Sequence, residues 1–159
     1  MQNYKAMHEK EIQLFTQALK LAKDEFYLDS LKAFQTLIDE FPESELVDDS
    51  YFNVGLCYFN INQFERAKDS FEFVISNHPD ATISILDGGN EYGRTAAKCY
   101  LGIINCYLGI GNLDIAKRML GKLKEFTDSF IILPNGEKEF FHSIGKKAIE
   151  GYINFKQNK

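Results

Sequence analysis

Three histidines, three cysteines and several paired carboxylates are the side chains of this 159-residue chain whose types suit acid–base, nucleophilic or metal chemistry. A catalytic centre needs a nucleophile beside a base, two carboxylates facing one bond, or a ligand cluster converging in a pocket. His8, His78 and His142 fall on three separate segments, with no His-Glu-x-x-His and no Cys/His spacing suited to zinc. Each is expected to be structural or solvent-exposed. Cys57, Cys99 and Cys106 are odd in number and form no Cys-x-x-Cys pair, which speaks against a disulfide framework and a thiolate zinc site and favours small core hydrophobes. Asp24-Glu25, Asp39-Glu40 and Asp48-Asp49 could meet a hard cation, yet none has calcium-loop spacing. Asp48-Asp49 is placed to open a helix, where negative charge is favoured by roughly up to 1 kcal/mol. The stretch Gly88-Gly89-Asn90-Glu91-Tyr92-Gly93 lacks the preceding strand and following Lys-Ser/Thr of a phosphate loop and reads as a flexible joint. The sequence therefore predicts no catalytic residue, no metal ligand and no cofactor.

The elements that would have to position any site are helical. Hydrophobic residues make up 45% and charged residues 26%, enough to fold a single domain of this length without disulfide or metal support. Only three prolines interrupt long runs of Leu, Lys, Glu, Ala and Phe at helical spacing, with no Gly-Asn or Asp-Gly hairpin signal read between alternating runs. The net charge of -5 gives no reason to expect nucleic-acid binding. Its distribution is uneven: residues 1–96 hold 17 acidic and 8 basic side chains (-9), residues 97–159 hold 6 and 10 (+4). Such polarity suits solvated helix faces, steering of a charged partner, or head-to-tail self-association. No apolar run approaches the length of a membrane span and the N-terminus has no apolar leader segment, so a cytoplasmic location is expected.

An internal repeat is clearest over residues 48–81. Tyr51, Val54, Gly55 and Tyr58 fall on one helix, a turn comes at Ile61-Asn62-Gln63, and Phe64, Ala67, Phe71 and Pro79 follow. A step of 37 back from Ala67, Phe71 and Pro79 lands on Ser30, Phe34 and Pro42, after a helix offering Leu14, Ala18 and Leu21. A step of 49 forward leads to Tyr100, Tyr107, Ala116 and Leu120, with Ile104 in place of Gly55 and a turn at Gly111-Asn112. The pattern resembles the tetratricopeptide repeat. The resemblance implies an all-α, α-α superhelix of about three helix pairs in one domain: repeats at about 11–44, 48–81 and 97–130, with an inter-repeat joint over 82–96 that ends by extending the next helix. A capping helix is expected at about 137–155, its apolar stripe formed by Phe141, Ile144, Ala148, Tyr152 and Phe155.

In solenoids of this family the first helix of each pair lines the concave surface, where partners lie. Carried over, the groove is expected to comprise Phe15, Thr16, Leu19, Asp49, Phe52, Asn53, Leu56, Asn60, Lys98, Leu101 and Asn105. The family includes chaperone-tail binders that grip a C-terminal carboxylate with Lys, Asn and Arg from successive first helices. Asn53 and Lys98 match two such positions, while Phe15, Leu19 and Gly102 occupy the others and remove most of the charge-assisted bonds. The resemblance thus implies a non-catalytic adaptor or scaffold holding a protein or peptide, with no nucleic acid and no membrane insertion. The alternatives are a self-assembling structural subunit, a homo-oligomer joined through exposed repeat faces, and a small-molecule receptor or enzyme using a pocket near the Gly-rich joint. For the groove residues themselves the alternative is covering by the C-terminal helix or by a second copy of the chain.

Overall fold

The computed structural model describes residues 2–159, with side chains from His8 onward. Helices follow one another as antiparallel pairs: α1 (Gln2–Lys23) with α2 (Tyr27–Glu40), α3 (Val47–Asn60) with α4 (Phe64–Asn77), and α5 (Thr95–Gly109) with α6 (Leu113–Lys122). A 3₁₀ turn, Leu123–Glu125, ends the third pair, and α7 (Phe141–Gln157) closes the stack. The architecture is an all-α helical superhelix.

The repeat spacing has a backbone counterpart at the turn inside each pair. Glu25, Asn62 and Gly111 take left-handed backbone, with φ of 66°, 61° and 80°, and stand 37 and 49 residues apart in turn. The residue after each returns a backbone bond to the helix: Phe26 N–H to Leu21, Gln63 N–H to Tyr58 and Asn112 N–H to Tyr107, at 2.8, 2.9 and 2.8 Å. This closure satisfies carbonyls that a helix end otherwise leaves open. The same turn is thus built three times, from three different residue types.

Between helices, small residues set the distance. Ala18 and Phe34 in the first pair, and Gly55 and Phe71 in the second, occupy equivalent positions and are buried. Ser30 stands where the second pair has Ala67, and it is tolerated in the core because its hydroxyl donates to the Ala18 carbonyl at 2.8 Å. In the third pair the sizes are exchanged: Ile104 and Leu120 replace glycine and phenylalanine. Gly145 of α7 rests on them, so close that a Cβ there would lie 3.0 Å from Leu120 Cδ1.

The structure departs from the sequence reading in the connections. Of residues 82–96, only Thr95 and Ala96 extend α5. Instead Glu91–Tyr92 forms strand β1, which pairs antiparallel with β2 (Phe130–Ile132), and β2 pairs with β3 (Lys138–Phe140). Tyr92, Phe130 and Phe140 stand in register across this sheet, their rings 5.6 and 5.8 Å apart. Cross-strand aromatic contacts of this kind hold short strands that propensity alone would leave as loop. Because β3 takes residues 138–140, the final helix starts at Phe141 and not at 137. Its buried residues are Phe141, Gly145 and Ile149, while Phe155, expected in the apolar stripe, is 56% exposed.

Candidate functional site

The joint is held against the first helices by a buried polar cluster. Asp87, 8% exposed, accepts from Asn53 Nδ2 at 3.0 Å and from Lys98 Nζ at 3.0 Å. Lys98, 4% exposed, also donates to Glu91 Oε2, and its ammonium lies 4.2 Å from the centre of the Phe52 ring. One turn away both Asp49 oxygens accept from the Ser84 N–H, at 3.1 and 3.2 Å, and Asp48 accepts from the Thr95 hydroxyl at 2.6 Å. A buried ammonium is costly unless paired and hydrogen-bonded, and here two carboxylates and an aromatic face satisfy it. Every buried side-chain polar atom among the described residues has a partner.

Burial shifts the proton affinity of Asp48 and Asp49 at this cluster. Burial pushes the Asp49 carboxyl up to about 8; the charges of Asp48 and Asp87 add to this, and the Ser84 N–H and Lys98 oppose it. Asp48 is raised by burial against the pull of Thr95. Burial alone would lower Lys98, but Asp87 and Glu91 outweigh it and hold the ammonium above its usual range. The three cysteines are buried and their thiols raised by burial, Cys106 to about 12, so they lack the thiolate character of a nucleophile.

The eleven residues expected in the groove divide into three groups. Phe15 packs edge-on against Phe34 with no exposed surface, and Asp49, Phe52, Asn53 and Lys98 are buried, the last three beneath or beside the joint. Leu19, Leu56, Leu101 and Asn105 are half-buried, and Thr16 and Asn60 are exposed. What lies over the middle of the first helices is therefore the chain's own joint, an occupant that was not among the coverings expected from the sequence.

Asp87, Glu91 and Ser84 have no place in a repeat pattern, and the acidic content of the joint opposite a lysine on a first helix was the available signal. Pairing them needs the backbone path of the joint, which β1 and the bonds from Ile83 N–H to Gly93 O and Thr95 N–H to Ala81 O establish.

On the other side of the joint lies a cavity of about 740 Å³ between α1, the α2–α3 corner and residues 78–86. His8 and His78, distant in sequence, both line it, together with Ile12, Leu46, Ile83 and Asp48. Among the described residues no cluster of three potential metal ligands forms, and no helix is long and apolar enough to cross a membrane.

Comparison with known proteins agrees with the turn geometry. Residues 49–81 match the sequence profile of the tetratricopeptide repeat. No curated protein matches the chain. Among solved structures, the Hsp90 co-chaperone Cns1 from Saccharomyces cerevisiae superposes with a TM-score of 0.64 at 14% identity, over 95% of this chain, which spans 41% of that one. The first tetratricopeptide domain of human RPAP3 gives 0.62 at 15% identity, with 94% and 96% of the two chains covered. The first such domain of Spaghetti (RPAP3), bound to the HSP90 peptide SRMEEVD, gives 0.60 at 16% identity, with 92% and 94% covered. The fold of this chain is that of a tetratricopeptide-type solenoid.

Proposed function

We propose that this chain is a non-catalytic interaction module that holds a segment of a partner protein along the first helices of its three pairs. The observation that carries the reading is the solenoid itself, with Thr16, Leu19, Leu56, Asn60, Leu101 and Asn105 left at least partly accessible on α1, α3 and α5. Amides such as Asn60 and Asn105 can satisfy a peptide backbone, and the leucines offer apolar area worth about 25 cal/mol per Å² removed from water. A domain of the same fold holds an HSP90 peptide, which supports a peptide ligand without specifying this one. The cysteines are buried with their thiols raised, and Lys98 is paired, so neither supports a catalytic reading.

The test is site-specific photo-crosslinking in native extract, with the photoreactive residue placed at Thr16 or Asn60 and, as control, at the exposed Glu72 of α4. One protein crosslinked at both groove positions and not at Glu72 supports the module. Crosslinking at Glu72 alone overturns the groove, and crosslinks to further copies of this chain transfer the reading to a self-assembling subunit, which the -9 and +4 halves of the sequence would favour.

A further inference from the structure

The sign of the accessible surface says what kind of segment the protein takes. Lys98 and Asn53, the cation and amide that a ligand carboxylate would seek on α5 and α3, are already engaged by Asp87, and Lys98 by Glu91 as well. An incoming carboxylate would have to displace a bonded one in a site with 4% of the lysine exposed. The cavity beside the joint has the opposite character. No described Lys or Arg lines it, whereas Glu45 and Asp80 stand exposed on its wall, neither ion-paired with a described residue. Its apolar wall includes Ile85 and Leu86, which are 80% and 36% exposed. This wall is preformed, because Ser84 is tied to Asp49, Ile83 to Gly93, and Thr82 bridges Arg94. A preformed wall reduces the ordering cost of binding.

We propose that the cavity between α1, the α2–α3 corner and the joint binds a partner segment that places an aliphatic side chain against Ile85 and Leu86 and a lysine or arginine toward Glu45 and Asp80. The inference rests on the interaction reading above and narrows it to basic, aliphatic segments. The joint has a double role: Asp87 closes the cationic part of the groove to acidic tails, and Ile85 and Leu86 build a wall for the opposite charge.

The experiment uses the purified full chain and two fluorescent peptides of equal length, one alternating leucine with lysine and the other alternating leucine with glutamate, followed by anisotropy at low and high salt. The variants are the exposed double reversal Glu45→Lys, Asp80→Lys and, for the apolar contact, Ile85→Ser. The expected result is binding of the lysine peptide at least about tenfold tighter than the glutamate peptide, weakened by salt. The reversal should weaken it by about tenfold, and Ile85→Ser should weaken it severalfold at all salt concentrations, with unchanged melting temperatures. Tighter binding of the glutamate peptide, or lysine-peptide binding indifferent to all three substitutions, overturns the proposal. If neither peptide binds, this site falls, while a partner crosslinked at Asn60 would keep the wider interaction reading. Salt-sensitive self-association in sedimentation, abolished by the reversal, assigns the cavity to the basic end of a second copy and ends the proposal of a foreign segment.

Discussion

Gly55 of α3 lies flat against the ring of Phe71 of α4, with no room for even a methyl group between them. The ring cannot retreat, because Gly102 of α5 meets it as well: a Cβ there would lie 2.6 Å from its carbons. One fully buried phenylalanine thus sets the spacing between α3, α4 and α5, and its two glycine contacts join the second pair to the third.

Replacing Gly55 by alanine should therefore destabilise the fold by about 1–3 kcal/mol, despite the better helix propensity of alanine. Gly151 of α7 has nothing within 4 Å of its Cβ direction, and alanine there should stabilise by about 0.5–1 kcal/mol. Urea unfolding of both variants checks the contrast; two stabilised proteins would sink the packing argument.

Glu25 occupies the left-handed position that Gly111 fills in the third pair. A side chain there costs about 1–2 kcal/mol, part of which glycine gives back through its freer unfolded chain. Glu25→Gly should raise stability by about 0.5–1 kcal/mol, and Gly111→Ala should lower it by about 1 kcal/mol, as read by thermal melting.

Stability should fall as pH rises from about 4 to about 8. The unfolded Asp49 carboxyl ionises near its ordinary value of 3.8, whereas in the fold it holds its proton to about 8. Across that window the native state binds the extra proton, so the slope of unfolding free energy with pH is negative. Asp49→Asn should flatten that slope, since its amide oxygen can still accept from Ser84. Chemical denaturation across pH is the measurement, and an unchanged slope would mean another group governs it.

Asp87→Ala removes the carboxylate shared by Lys98 and Asn53 and leaves two buried donors underused. A loss of about 2–4 kcal/mol is expected, somewhat under the range for breaking a buried pair because Glu91 remains. Hydrogen exchange should accelerate first at Ile83 and Ser84, whose N–H groups are bonded to Gly93 within the joint and to Asp49 beneath it. Protection unchanged at those amides would show that Asp87 does not hold the joint.

The helix pairs were legible because their determinants are local or periodic. Gly55, Ala67 and Phe71 recur as Ala18, Ser30 and Phe34, and side chains at three- and four-residue steps must share a helix face whatever lies opposite. The fold class followed from the same spacing. The α7 start expected at about 137 falls four residues early because Lys138–Phe140 is too short to show alternation and becomes a strand by pairing with β2 across the Asn135-Gly136 turn.

Of the candidate site, the sequence by itself determined which residues ride on the first helix of each pair, since that depends on periodicity along one chain segment. Which of them a partner can reach was decided only by tertiary structure. Phe15 is consumed by packing on Phe34, and Asn53 and Lys98 by a carboxylate 34 residues after the one and 11 before the other. The path of the joint depends on β1 meeting a strand about forty residues downstream and on Asp87 and Glu91 sharing the Lys98 ammonium. Such bonds repay the cost of burying charge only when every partner is in place at once, and residue spacing carries no record of that simultaneity.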